Sequence, residues 1–268
     1  MYIALAAIFG LFVGSFLNVC IDRLPRGDSI AFPPSHCESC GHKLGVLDLI
    51  PVFSYVFLRG GCRYCRVRIP IRLMIVELAT GVLFGFLFWK YGFSLELLVL
   101  IIYSCILIII FVIDLEHQLV LDIITYPAMI VAFIIAFFRP EIAAVDSLGS
   151  GTINQAVSQA ASNAAGQAII ALLGGFLGLV AMSIPFFIYP SGMGMGDIKL
   201  AALVGLMTGY PLIILALLLS WILGGVIAGI LLALKIKGRK DPIPAAVFMV
   251  VAAIVTLVWG QDIWNWYF

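Results

Sequence analysis

Residues 94–122, SLELLVLIIYSCILIIIFVIDLEHQLVLD, set the fold class. The apolar run 94–113 is long enough to cross a bilayer as one helix, since a hydrocarbon core of about 30 Å needs about 20 residues. It stops at Asp114, and a second acid, Asp122, precedes the next apolar run. Outward from this stretch the same pattern repeats, giving apolar segments at about 2–20, 73–90, 94–113, 123–138, 167–189, 198–209, 211–234 and 243–260.

The chain has 268 residues, 63% hydrophobic and 11% charged, with a mean hydropathy of +1.18. A soluble domain is about 45–50% apolar and about 25% charged. The balance excludes a secreted disulfide scaffold, a disordered regulator and a soluble enzyme. The net charge of +1, without a long Lys/Arg tract, argues against a nucleic-acid partner. The expected fold is an all-α polytopic membrane protein with about eight transmembrane helices, whose first partner is the lipid bilayer.

Segments 198–209 and 211–234 adjoin, but Thr208-Gly-Tyr-Pro211 separates them, and Pro211 removes a backbone donor and biases Tyr210 away from helix. A span of about a dozen residues is short for a bilayer, so one kinked helix and seven spans is the alternative there. The first segment lacks a positive residue before its apolar run, and Arg23 and Arg26 follow it, which suits a retained span rather than a cleaved signal.

With eight spans, one side carries Arg23, Arg26, Lys43, Arg59, Arg63, Arg66, Arg68, Arg72, Lys199, Lys235, Lys237, Arg239 and Lys240, and the other only Lys90 and Arg139. The positive-inside rule makes the first side cytoplasmic. A continuous 198–234 helix would separate Lys199 from the 235–240 cluster, which favours the split. Residues 21–72 then form a cytoplasmic loop large enough for a small module. The stretch 139–166, rich in Ser, Ala, Gly, Asn and Gln, is expected to be an external linker without chemistry.

Cys37-Glu-Ser-Cys40 and Cys62-Arg-Tyr-Cys65 form two C-x2-C pairs 21 residues apart. Such pairs converge two by two on one tetrahedral ion, which predicts a structural zinc; four thiolates leave no open position for catalysis. Gly41 and Gly60-Gly61 are placed to make the tight turns, and Arg63, Arg66 and Lys43 favour thiolates. Two disulfides are the rival, disfavoured by a reducing cytoplasm. His36 and His42 are expected to be loop residues, and Cys20 and Cys105 small packing residues.

Asp197, in Gly192-Met-Gly194-Met-Gly196-Asp197-Ile-Lys199, begins the sixth segment on the side where Asp114 ends the third. Two carboxylates about 3 Å apart cannot both ionise, so one can deprotonate water while the other polarises a peptide carbonyl. This predicts hydrolysis with neither covalent intermediate nor catalytic metal. The glycines, Gly194 and Gly196 nearest, remove side chains so that a substrate backbone can approach. Both acids could instead be helix caps or loop residues, and spacing alone does not choose between Asp114 and Asp122. Glu77, about one turn inside the second segment, either pairs with a basic neighbour or touches substrate. Intramembrane carboxylates also suit an ion-coupled transporter or channel component.

In order, GSFLNV (14–19), the two C-x2-C pairs, RIPIRLMIVELATG (68–81), Asp114…Asp122 and GMGMGDIKL (192–200) resemble the bacterial prepilin leader peptidases, a group of the GxGD membrane aspartyl proteases. The resemblance covers nearly the whole chain. It implies removal of a short basic leader from type IV prepilins or type II secretion pseudopilins, at the cytoplasmic face of the bacterial inner membrane. It also implies N-methylation of the new N-terminal residue from S-adenosylmethionine. It matches the catalytic aspartates to Asp114 and Asp197, the four cysteines to a zinc module tied to methyl transfer (residues 1–72), and 73–268 to the peptidase. Lys199, Gly194, Gly196 and Glu77 are expected along the substrate's approach. The family commonly has Pro where Leu121 stands, and the 139–166 stretch lengthens the interval between the aspartates. No G-x-G-x-x-G pattern follows a strand, so methylation rests on the resemblance.

Overall fold

The computed structural model describes residues 1–138, 164–188, 194–235 and 244–267, and among these the architecture is helical throughout. The helices are α1 (Tyr2–Arg23), a short α2 (Phe53–Phe57), α3 (Ile71–Tyr91), α4 (Leu95–His117), α5 (Asp122–Phe137), α6 (Ala164–Ile188), α7 (Met195–Thr208), α8 (Leu212–Ala233) and α9 (Ala245–Tyr267). Each of the eight apolar segments becomes its own helix. Six of them, α1, α3, α4, α6, α8 and α9, are long and apolar enough to cross a membrane.

The other two fall short of the expected eight spans. At about 1.5 Å per residue, α5 and α7 reach about 24 and 21 Å against a core of about 30 Å. The split at 208–211 is real: α7 ends at Gly209, whose φ of 71° favours glycine, and Tyr210 N donates to Ile170 O of α6 at 3.2 Å. The basic residues Lys237, Arg239, Lys240 and Arg139, and nearly all of the polar 139–166 stretch, lie outside the described residues.

The chain forms two compact units, Met1–Cys105 and Ile106–Phe268. In the first, α1 packs along α3 through small residues, which let helix backbones approach in an apolar solvent. A β-carbon on Gly14 would meet Glu77 Cα at 2.8 Å, and one on Gly10 would meet Thr80 O at 2.8 Å. In the second, α7 is enclosed by α5, α6, α8 and α9, and Leu200, Ala201, Leu203 and Val204 are fully buried. A helix surrounded by other helices need not span the bilayer alone. At the α6–α7 crossing Gly174 faces Gly205, each filling the place where the other's β-carbon would sit.

Adding a methyl at that crossing should overpack it: Gly205→Ala and Gly174→Ala are each expected to cost about 1–3 kcal/mol. Gly225→Ala on α8, with nothing within 4 Å of the added carbon, should be neutral or slightly stabilising. Unfolding in detergent micelles, followed by circular dichroism, checks this; equal stability for all three variants would show that the crossing is not tight.

Candidate active site and metal centre

Asp114 lies in the last turn of α4 and is 4% exposed. Its carboxylate accepts the Val247 N–H at 3.2 Å and also the Ala246 N–H. Both donors belong to the first turn of α9, where helical N–H groups lack intrahelical partners and the helix dipole favours an anion. Asp197 is the third residue of α7, half-buried, and its side chain reaches back to the N–H of the N-cap residue Gly194. Two aspartates from separate parts of the sequence thus sit on two helix starts. Asp114 is near enough for its charge to act on Asp197.

Gly196 shows how the two are brought together. A β-carbon there would meet Val120 Cβ at 2.8 Å, so the α4–α5 connection lies directly against the start of α7. The space at Gly196 is therefore filled by the protein's own Val120, whereas Gly194 is exposed and open. Gly192 lies outside the described residues. Lys199 Nζ donates to Asp122 Oδ1 at 2.6 Å and sits 5.3 Å from the centre of the Tyr126 ring. Asp122, with a side chain 55% exposed, is thus held in an ion pair at the surface, unlike the enclosed Asp114.

Glu77 lies in the first compact unit, where it accepts the Val52 N–H at 2.7 Å and the Ser15 hydroxyl. The nearby Arg72 pairs with Asp22 of α1 instead.

The four cysteines form one cluster. Their Sγ atoms all lie within 4.8 Å of one another, and Cys37 Sγ is 3.8 Å from Cys65 Sγ. A tetrahedral zinc with bonds of about 2.3 Å requires a sulfur–sulfur edge of about 3.8 Å. The donor set fits that ion. The two pairs are built alike: Cys37 N donates to His42 O and Gly41 N to Cys37 O, while Cys62 N donates to Val67 O and Arg66 N to Cys62 O. Bridges His36–Lys43 and Gly61–Arg68 close the two loops.

The hydrogen bonds from the Cys40 and Ser39 N–H groups bring the Cys37 thiol down to about 7. Cys65 accepts a bond from the Val67 N–H, which works the other way, yet burial and three neighbouring thiols push it up to about 11. Arg66 was not legible as a turn residue, yet its φ of 58° matches the 69° of Gly41 in the first loop. His42 is not among the sulfur cluster; its ring lies 3.6 Å from that of Tyr64, joining the two loops.

Residues 8–91 match the model of the bacterial peptidase A24 N-terminal domain, and residues 101–230 match that of the type IV leader peptidase family. Curated proteins named prepilin leader peptidase/N-methyltransferase align over nearly their whole length. The one from Xanthomonas campestris pv. campestris is 31% identical over 290 residues, 98% of this chain and 93% of the relative. That from Bacillus subtilis is 30% identical over 260 residues (97% and 95%), and that from Pseudomonas putida 29% over 291 (98% and 92%). No solved structure matches the chain.

Removing one thiol, as in Cys40→Ser or Cys62→Ser, should release bound zinc from the purified protein. Arg66→Gly should retain it, because glycine occupies positive φ without the cost of about 1–2 kcal/mol borne by other residues. Gly41→Val should weaken retention for the same reason. Elemental analysis after dialysis reads the zinc content; full zinc in Cys62→Ser would remove that thiol from the ligand set.

Proposed function

The chain belongs to the type IV leader peptidase family, and from this membership we propose that it removes the leader of prepilins or pseudopilins with Asp114 and Asp197 and then methylates the exposed amine. The protein is a membrane-bound peptidase with N-methyltransferase activity. The observation that supports the assignment of the pair is their convergence: a buried Asp114 and a half-buried Asp197, each hydrogen-bonded to a helix start, with Asp114 near enough for its charge to act on Asp197. Asp122 is engaged by Lys199, which supports Asp114 as its partner's match. The transporter reading finds no support in any relative.

The chemistry needs one hydrogen ion shared between two carboxylates. The ionised carboxylate takes a proton from water as the water oxygen attacks the scissile carbonyl carbon. The protonated one donates to the carbonyl oxygen, stabilising its developing charge. Collapse of the tetrahedral adduct breaks the C–N bond, and the proton passes to the leaving nitrogen. Burial of Asp114 lowers the local dielectric, which strengthens the hydrogen bonds it makes. Gly194, open and exposed, is where an extended substrate backbone passes closest, with Gly196 and Lys199 holding the wall behind it through Val120 and Asp122. Glu77 accepts the Val52 N–H and the Ser15 hydroxyl, and we place it with the module.

We place cleavage in 73–268 and methyl transfer with 1–72, whose sulfur cluster holds a structural zinc. We assign the cysteine module and both aspartates to the cytoplasmic side of the inner membrane from the distribution of basic residues along the chain. The positive-inside bias supports that orientation. S-adenosylmethionine is the methyl donor this activity calls for. A cavity of about 370 Å³ in the module has Leu47, Ile50, Phe53, Phe57 and Leu58 in its wall, with Arg63 as its one cation. An apolar wall beside a guanidinium does not fit a sulfonium, so no step is drawn through that site.

Asp114→Asn and Asp197→Asn should each cut leader removal by about three orders of magnitude or more, while methylation of a pre-trimmed pilin continues. Mass spectrometry of a prepilin incubated with purified protein separates the two modifications. Full cleavage by either variant would exclude that aspartate.

A further inference from the structure

The segment 46–57 joins the two cysteine pairs and includes α2. It presents six large apolar side chains outward: Val46, Leu47, Leu49, Phe53, Val56 and Phe57, with Val46 and Phe57 more than 80% exposed. In water such a patch is a liability, and a contiguous one marks an interaction surface. What covers it follows from depth.

Val52 donates its N–H to Glu77 at 2.7 Å. Glu77 is six residues into α3, hence about 9 Å below the start of that helix at about 1.5 Å per residue, and its side chain leans back toward that start. The same carboxylate accepts from Ser15, more than two turns before the end of α1. Both helices are long and apolar enough to span, and the 21 residues of α3 make about 31 Å, which leaves little of it outside a hydrocarbon core of about 30 Å. Val52 is therefore beside the first two turns of α3, below the membrane surface. Tyr55 Oη donates to Ile69 O, just before α3, so α2 is held at the same edge.

We infer that residues 46–57 form a strap embedded in the lipid interface of the leaflet on the module's side, with Phe53, Val56 and Phe57 among the acyl chains. A depth of about 5–10 Å is that of an interfacial amphipathic element. Arg59, directly after the strap, and Arg66 and Arg68 in the second cysteine loop are all exposed and placed for anionic headgroups, which attract basic side chains near such a surface. Pro51 is buried, and the backbone of Val52 at φ 62°, unusual for a β-branched residue, aims its N–H at the carboxylate. The sulfur cluster is thereby pinned to the membrane rather than hung from it.

The test is photocrosslinking of the full chain in vesicles of phosphatidylethanolamine and phosphatidylglycerol. Phe57 and Phe53 are each replaced by p-benzoylphenylalanine, with the exposed Glu38 position as control. Lipid adducts several-fold more abundant at both phenylalanine positions than at Glu38, identified by intact mass, are expected. Yields no higher than at Glu38 would overturn the inference. So would adducts dominated by a second copy of the chain, or by a prepilin when one is added.

Discussion

A carboxylate in an apolar protein has to find donors, and here the donors are the starts of helices. Asp114 takes the first-turn N–H groups of α9, and Asp197 takes the N-cap N–H of its own helix. Each arrangement satisfies groups that a helix start would otherwise leave bare. Neither acid belongs to any of the described ion pairs, and the charge of Asp114 acts on Asp197. Placing them so is tolerable only because each is separately hydrogen-bonded to backbone. In the proposed mechanism this leaves both carboxylates free of a salt bridge that would quench their reactivity.

Close helix packing supplies the rest of the geometry. Gly196 against Val120 seats the α4–α5 connection on the start of α7, and Gly174 against Gly205 seats α7 on α6. In each case a missing β-carbon is the space another backbone or side chain uses. The shortness of α7 follows from the same enclosure. A helix wrapped by four others has its ends positioned by them, so its first turn can stop within the protein and present Asp197 there.

Much of this was legible in the sequence. The eight apolar runs became eight helices with ends shifted by a few residues, and the glycine and proline at 209–211 broke the sixth from the seventh as their backbone preferences require. The paired C-x2-C spacing carried the sulfur cluster. Helix length was the less readable part: hydropathy found 123–138 and 198–209 as apolar, but whether a short helix spans or is enclosed depends on its neighbours. Contacts that are long-range in sequence were equally hidden. Nothing in residues 114 and 247 announces that one receives the other's N–H, and nothing local marks Val120 as the filler of the gap at Gly196. The left-handed turn at Arg66 escaped because only its geometric equivalence to Gly41 reveals it.

Asp114 and Asp197 are proposed to work as one unit on a single water. The kinetics of the Asp114→Asn, Asp197→Asn and doubly substituted proteins, measured at high enzyme concentration on one prepilin, address that most directly. Residues acting as a unit are non-additive, so the double variant should cleave no more slowly than the slower single one. A double variant slower by the product of the two single losses would mean that each aspartate acts alone, and would contradict the account.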